Sequence, residues 1–194
     1  DQAPERGGFH YTTPHPGPIE WMPSMKRGEE VVIKLVGYHP ENPREFSLPT
    51  ILSTVMCLNP TTGHLLAVMD GNLLTAMRTA SASAVASRIL ARNESTVLGV
   101  VGCGAQSIAH LHAMTRVFDI QQVNVYDTDP SNQASFSARA NYLDLNNIEI
   151  RTPGLDQVLA TADILCTATS VPVGQGPVFE SLAVKPSLHI NAVG

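Results

Sequence analysis

Short apolar runs alternate with small-residue and amphipathic stretches along most of this chain, and the period of each predicts an element. Val31-Val32-Ile33-Lys34-Leu35-Val36 is a β-branched run that predicts a strand with Val32, Lys34 and Val36 on one face. Runs at 51–58 and 64–69 flank Asn59-Pro60-Thr61-Thr62-Gly63, a connection short enough to predict a hairpin. After the punctuation of Asp70-Gly71-Asn72, residues 73–91 are dense in Ala, Ser, Leu and Met and lack Pro and Gly. One long helix is expected there, with small residues that allow close packing. Residues 1–30 hold Pro14, Pro16, Gly17, Pro18 and Pro23 with few periodic apolar positions, and are expected to be extended and irregular.

A second organisation begins at Thr96. Val97-Leu98-Gly99-Val100-Val101 is continuously apolar, the signature of a strand buried on both faces of a parallel sheet. A glycine turn and a helix follow, then strand 123–127, helix 131–142, strand 148–151, helix 155–161, and strands 163–167 and 188–192. Strands alternating with helices of this size imply β-α-β crossovers. The expected class is α/β: a Rossmann-type, doubly wound parallel sheet over residues 93–194, beside a smaller α/β domain over 1–92. The chain stops at Asn191-Ala192-Val193-Gly194, a strand end where such sheets place ligand contacts, so the sequence is expected to continue beyond it.

Composition narrows the partners. With a net charge of −5 and no clustered Lys/Arg stripe, the chain lacks the attraction that dominates nucleic-acid and anionic-membrane binding. No run of eighteen apolar residues and no leader-like charged-then-apolar start occurs. The three cysteines, Cys57, Cys103 and Cys166, are odd in number and widely spaced, which fits reduced thiols in the cytoplasm rather than a disulfide framework or a metal site. His110 and His112 point about 200° apart on a helix and so do not converge on a metal, and no metal is expected. His15 and His39, beside prolines, are expected in solvent.

The chemistry concentrates at Gly102-Cys103-Gly104-Ala105-Gln106-Ser107, which follows a buried strand and opens a helix. Gly102 suits a tight turn, Gly104 lets backbone N–H groups approach a pyrophosphate, and the small Ser107 lets helix pack on strand. Asp127 stands at the end of the next strand, roughly twenty residues on, where an acid accepts from both ribose hydroxyls. Its charge repels a 2′-phosphate, so NAD is the expected cofactor rather than NADP. A glycine turn without a ligand and an aspartate capping the next helix is the other reading.

The first ninety residues offer no Ser/His/Asp array and no paired carboxylates, and periodicity alone does not name a reaction. Arg6, Lys34 and Arg78 are the basic leads, each of which could equally be a solvated surface charge. At these residues the chain resembles the ornithine cyclodeaminase/μ-crystallin family. The resemblance is carried by Met22-Pro23, Lys34-Leu35-Val36, Leu48-Pro49-Thr50, Pro60-Thr61-Thr62-Gly63, Leu66-Ala67-Val68-Met69-Asp70-Gly71 and Leu74-Thr75-Ala76-Met77-Arg78-Thr79-Ala80. Gly102-Cys103-Gly104-Ala105-Gln106 and His189-Ile190-Asn191-Ala192-Val193-Gly194 complete it, in the family's order.

That resemblance implies a dimeric enzyme with a substrate and dimerisation domain beside an NAD domain, the C-terminal part being absent from this chain. It implies that Arg6, Lys34 and Arg78 hold a substrate α-carboxylate, with Lys34 also placed to assist at the reacting amine. It implies cofactor contacts from Thr50, Arg78, Thr79, Gly102, Gly104, Ala105, Gln106, Asp127, Thr169, Ile190, Asn191, Ala192 and Val193. A catalytic aspartate of the cyclodeaminase branch would follow Gly194. The implied reaction is hydride transfer from Cα of an amino acid, ornithine foremost, to NAD, then ring closure of the imine, loss of ammonia and return of hydride to give proline. An alanine dehydrogenase or ketimine reductase on the same scaffold, or a ligand-binding protein without catalysis, are the alternatives.

Overall fold

The computed structural model describes residues 4–145, 147–171, 177–180 and 184–193; the expected contact sequence at the chain end is therefore described only as far as Val193. The chain forms two compact units, Asp1–Thr75 and Ala76–Gly194.

The first unit is a five-stranded antiparallel meander in the order β1 (Gly7–Tyr11), β2 (Gly17–Lys26), β3 (Glu30–Tyr38), β4 (Ile51–Leu58) and β5 (Leu65–Asp70). Strands β1 and β2 correct the expectation of irregular chain over residues 1–30. Prolines usually demote a strand because they lack an N–H donor. Here Pro18 lies outside the stretch of β2 paired with β3, and Pro23 outside the stretch paired with β1. Each therefore has one unpaired side, on which a missing donor breaks no ladder bond. The β4–β5 hairpin forms as expected, and its loop is an Asx turn: Asn59 Oδ1 accepts from Thr61 N at 2.8 Å and Thr62 N at 3.1 Å. Strand β4 alternates as a half-buried strand should, with Ser53 and Val55 buried and Leu52 and Thr54 exposed. A four-residue helix, α1 (Asn42–Glu45), lies between β3 and β4.

Helix α2 (Asn72–Leu90) matches the predicted span. The division between the units falls inside it, earlier than the 92/93 boundary expected from the pattern, because Ala80 and Ala84 pack into the core of the second unit. That core surrounds a parallel sheet of β6 (Val97–Val101), β7 (Gln122–Tyr126), β8 (Glu149–Arg151), β9 (Ile164–Thr167) and β10 (His189–Ala192), ordered β10-β9-β6-β7-β8. Strand order runs outward in both directions from β6, the doubly wound arrangement. Alternate residues of β6 feed opposite layers. Leu98 and Val100 join the layer of α3 (Ala105–Thr115) and α4 (Pro130–Ala140), which contributes Leu111, Met114 and Phe136. Val101 joins Val158, Leu159 and Leu165 beneath α5 (Leu155–Thr161). Burial on both faces is why these strands read as unbroken apolar runs.

Candidate active site

The parallel strands deliver their C-terminal ends to one edge of the sheet, and the chain that follows each end supplies the site. After β6 comes Gly102, whose N–H donates to Tyr126 O at 2.8 Å and whose φ of +90° only glycine adopts readily. A Cβ there would stand 2.5 Å from the carbonyl oxygen of Ala168, so the turn admits no side chain. After β7 comes Asp127. Its Oδ2 accepts from Cys103 N at 2.6 Å and its Oδ1 from Asp129 N at 2.8 Å. Thr169 follows β9, and Val193, whose N–H donates to Thr167 O at 3.0 Å, follows β10.

Helix α3 opens on this edge without a side-chain cap. Its N-cap, Gly104, is extended (φ −78°, ψ −164°) and exposed, and the space a Cβ would fill is open. Uncapped N–H groups and the positive end of the helix dipole form an anion cradle. Ser107 is fully buried and donates from Oγ to Gly104 O at 2.5 Å, which fixes the first turn on the sheet. Gln106 Oε1 and Thr169 Oγ1 are buried at the same place, and no described residue hydrogen-bonds to either. Buried polar atoms without partners are costly, so their presence here fits a ligand with hydrogen-bonding groups. Each Asp127 oxygen keeps a second lone pair for a ribose hydroxyl. The residues present fit a dinucleotide.

Burial pushes the Cys103 thiol up to about 12, with Asp127 reinforcing the effect and Arg139 opposing it. The sulfur in the turn is therefore a neutral thiol at physiological pH, not a nucleophile. Asn191 is buried and its side-chain amide donates to Ser87 Oγ at 2.9 Å, so the side chain of this expected cofactor contact is engaged within the protein. Ile190 and Ala192 are exposed on the same strand, and in α2 Arg78 is exposed while Thr79 is half-buried.

Within the first unit, Lys34 sits opposite Met22 on one side and Val55 on the other, hence on the buried face of the meander, and its ammonium nitrogen is shielded from solvent. Arg6 immediately precedes β1 and is exposed, so it lies outside the pairing that fixes the place of Lys34. Thr50 precedes β4, its carbonyl accepting from His39 N at 2.8 Å. His15 keeps 43% of its side chain exposed, in part as expected, but both it and His39 are also engaged within the protein. They bond Glu41, at 2.7 Å, and Tyr11, partners that lie 26 and 28 residues away and that local composition does not disclose.

Two residues near the cradle take up contacts that the sequence does not disclose. Arg139 donates from Nη2 to Cys103 O at 2.5 Å across a separation of 36 residues. His110 is fully buried between Gln106 O, at 2.8 Å from Nδ1, and Ser83 Oγ, at 3.0 Å from Nε2. This tautomer-fixed ring is kept neutral by its burial, which lowers its pKa. Among the described residues, no group of three or more His, Cys, Asp or Glu is placed to hold a metal, and no helix is long and apolar enough to cross a membrane.

Comparison with known proteins extends the match well beyond the glycine turn. The chain is 40% identical over 194 residues to L-lysine cyclodeaminase of Streptomyces rapamycinicus, covering all of this chain and 56% of that one. A lysine cyclodeaminase structure concerned with recognition of L-lysine, L-ornithine and L-2,4-diaminobutyric acid superposes with a TM-score of 0.93 at 49% identity, covering 99% of this chain and 55% of that one. The Δ1-pyrroline-2-carboxylate reductase of Thermococcus litoralis, solved with NADH and L-proline, gives 0.86 at 33% identity over 98% of this chain and 58% of that one. The chain thus spans little more than half the length of these relatives. The sequence model of the ornithine cyclodeaminase/mu-crystallin family matches residues 4–194, and the chain belongs to that family.

Proposed function

We propose that this chain carries the cofactor cradle and the carboxylate-binding residues of an NAD-dependent cyclodeaminase acting on an L-α,ω-diamino acid, ornithine or lysine. The observation that carries the reading is the cradle itself: Gly102, Gly104 and the uncapped start of α3 beside Asp127, Gln106 and Thr169. The anionic Asp127 favours NAD over NADP. When held there, the dinucleotide would supply a hydride acceptor for the substrate Cα and a hydride donor after ring closure. Between those events the side-chain amine attacks the substrate imine carbon, and ammonia leaves.

The chain's own residues bind and orient. Lys34 and Arg78, joined by Arg6, pair with the substrate carboxylate through charge-assisted bonds. Thr50, Arg78, Thr79, Gly102, Gly104, Ala105, Gln106, Asp127 and Thr169, with Ile190, Asn191, Ala192 and Val193, surround the dinucleotide, Asn191 through its backbone. The partner is a second copy. Strand β5 leaves Leu65, Leu66, Val68 and Met69 between 43% and 57% exposed, an apolar edge suited to pairing subunits. Free thiols at Cys57, Cys103 and Cys166 suit a reducing cytoplasm.

The test is turnover by the complete natural protein. Equimolar ammonia and saturated cyclic amino acid, proline from ornithine or its six-membered homologue from lysine, with no net NADH, support cyclodeamination. Net oxidation of NADH by a cyclic imine favours the second reading, an imine reductase, for which the likeness to the pyrroline-2-carboxylate reductase speaks. NAD binding without turnover of any amino acid or imine would refute both.

A further inference from the structure

We infer that Arg139 is a positioning residue for the dinucleotide, holding the Cys103 carbonyl so that the Gly104 N–H faces the pyrophosphate. The inference rests on reading this turn as the dinucleotide cradle. Two consecutive peptide groups of the turn are fixed by charged side chains from the next β-α unit. The Cys103 N–H belongs to the peptide after Gly102 and donates to Asp127 Oδ2 at 2.6 Å. The Cys103 carbonyl belongs to the following peptide and accepts from Arg139 Nη2 at 2.5 Å. Asp127 alone would leave that second peptide free to rotate.

In a planar trans peptide the C=O and the following N–H point in opposite directions. Anchoring Cys103 O on the α4 side therefore turns the Gly104 N–H away from α4. Gly104 is exposed, no side chain caps the helix, and the space a Cβ would fill there is open, which leaves room for a ligand beside the turn. The guanidinium also polarises the peptide whose oxygen it binds, which strengthens the opposite N–H as a donor.

Arg139 is itself held firmly enough to act as an anchor. Its Nη2 also donates to Asn132 O at 3.1 Å and its Nε to Ser135 Oγ at 3.2 Å. The guanidinium carbon lies 5.9 Å from the centroid of Phe136, a fully buried ring. The fork thus joins a neutral carbonyl to one helix face, where a lysine would offer only a point charge.

The experiment compares wild type, Arg139→Ala, Arg139→Met and Arg139→Lys in the complete natural protein by calorimetry with NADH, ADP and adenosine. Arg139→Met keeps the apolar stem over Phe136 and replaces Arg139→Ala if the latter does not fold. NADH and ADP should bind about tenfold more weakly to Arg139→Ala or Arg139→Met, and adenosine as in wild type, because only the pyrophosphate meets the Gly104 N–H. The loss should persist at high salt, and Arg139→Lys should recover only part of it. The Gly104 amide resonance should shift in the cofactor-free variants while those of the later turns of α3 stay in place. Unchanged NADH affinity in the variants overturns the inference and leaves the cradle intact. So does full rescue by lysine with a loss that vanishes in salt, since that is simple attraction to phosphate. Failure of wild type itself to bind NADH and ADP would instead overturn the dinucleotide reading, and the inference with it.

Discussion

The Asp127 carboxylate accepts from Cys103 through one oxygen and from Asp129 through the other, so its position is set by the backbone before any ligand arrives. Replacing it with serine and adding an arginine at Thr128 should remove the repulsion of a 2′-phosphate and supply a cation for it. NADPH affinity relative to NADH should then rise by about tenfold or more in calorimetry; a wild-type protein that already prefers NADPH would show the ribose assignment to be wrong. On the substrate side, Lys34→Ala should weaken amino-acid binding by about tenfold while NADH affinity is retained, since a charge-assisted bond contributes on the order of 1.5–3 kcal/mol. Kinetics and calorimetry on the same preparation separate the two effects, and near-wild-type turnover would place the substrate elsewhere. Asp127 was legible in the sequence because strand period and turn chemistry put it in register with Gly102. Arg139 was not, because a contact 36 residues long leaves no periodicity.

At the level of elements, one carboxylate ties together the ends of the sheet opposite the cradle. Asp163, just before β9, accepts from Thr96 N and Val97 N at 3.0 Å each, from Lys185 Nζ at 2.6 Å and from Arg92 Nη2 at 3.2 Å. Burial by itself would raise its pKa, but the Lys185 ammonium and the two N–H groups outweigh burial and hold it below the usual carboxylate value. A depressed folded-state pKa means stability that is fully present above the unfolded value, about 3.9, and lost as pH falls through the folded one. Asp163→Asn should therefore cost about 2 kcal/mol at pH 7, and the gap to wild type should close in urea titrations repeated towards pH 3. A pH-independent gap would mean the charge is not what matters. The elements from β6 to β10 could be read from the sequence within a residue or two, because burial on both faces produces unbroken apolar runs between turn residues. Strands β1 and β2 could not, since their prolines look like breakers until the pairing shows which side of each is free.

For the whole molecule, the exposed apolar residues of β5 predict a protein that pairs. Light scattering on the complete natural protein at micromolar concentration should give twice the subunit mass. Val68→Asp, which puts a charge at a residue 57% exposed in this chain, should shift it towards the single-subunit mass without loss of secondary structure. A wild type that stays monomeric would leave that apolar edge to another role.

The burial of the sulfurs has a practical consequence for following such an assembly in solution. Cys103 and Cys166 are fully buried, and burial pushes both thiols up to about 12, with Asn191 only partly offsetting the effect at Cys166. Cys57 is half-buried on β4, paired with Ala67 of the apolar strand β5. Of these three residues, a maleimide should therefore modify Cys57 first in the native protein and the other two only after denaturation. Peptide mapping by mass spectrometry reads this directly. A fluorophore coupled there would sit one strand from the exposed apolar residues of β5, and a change in its emission with concentration would test the pairing predicted above without an engineered attachment point.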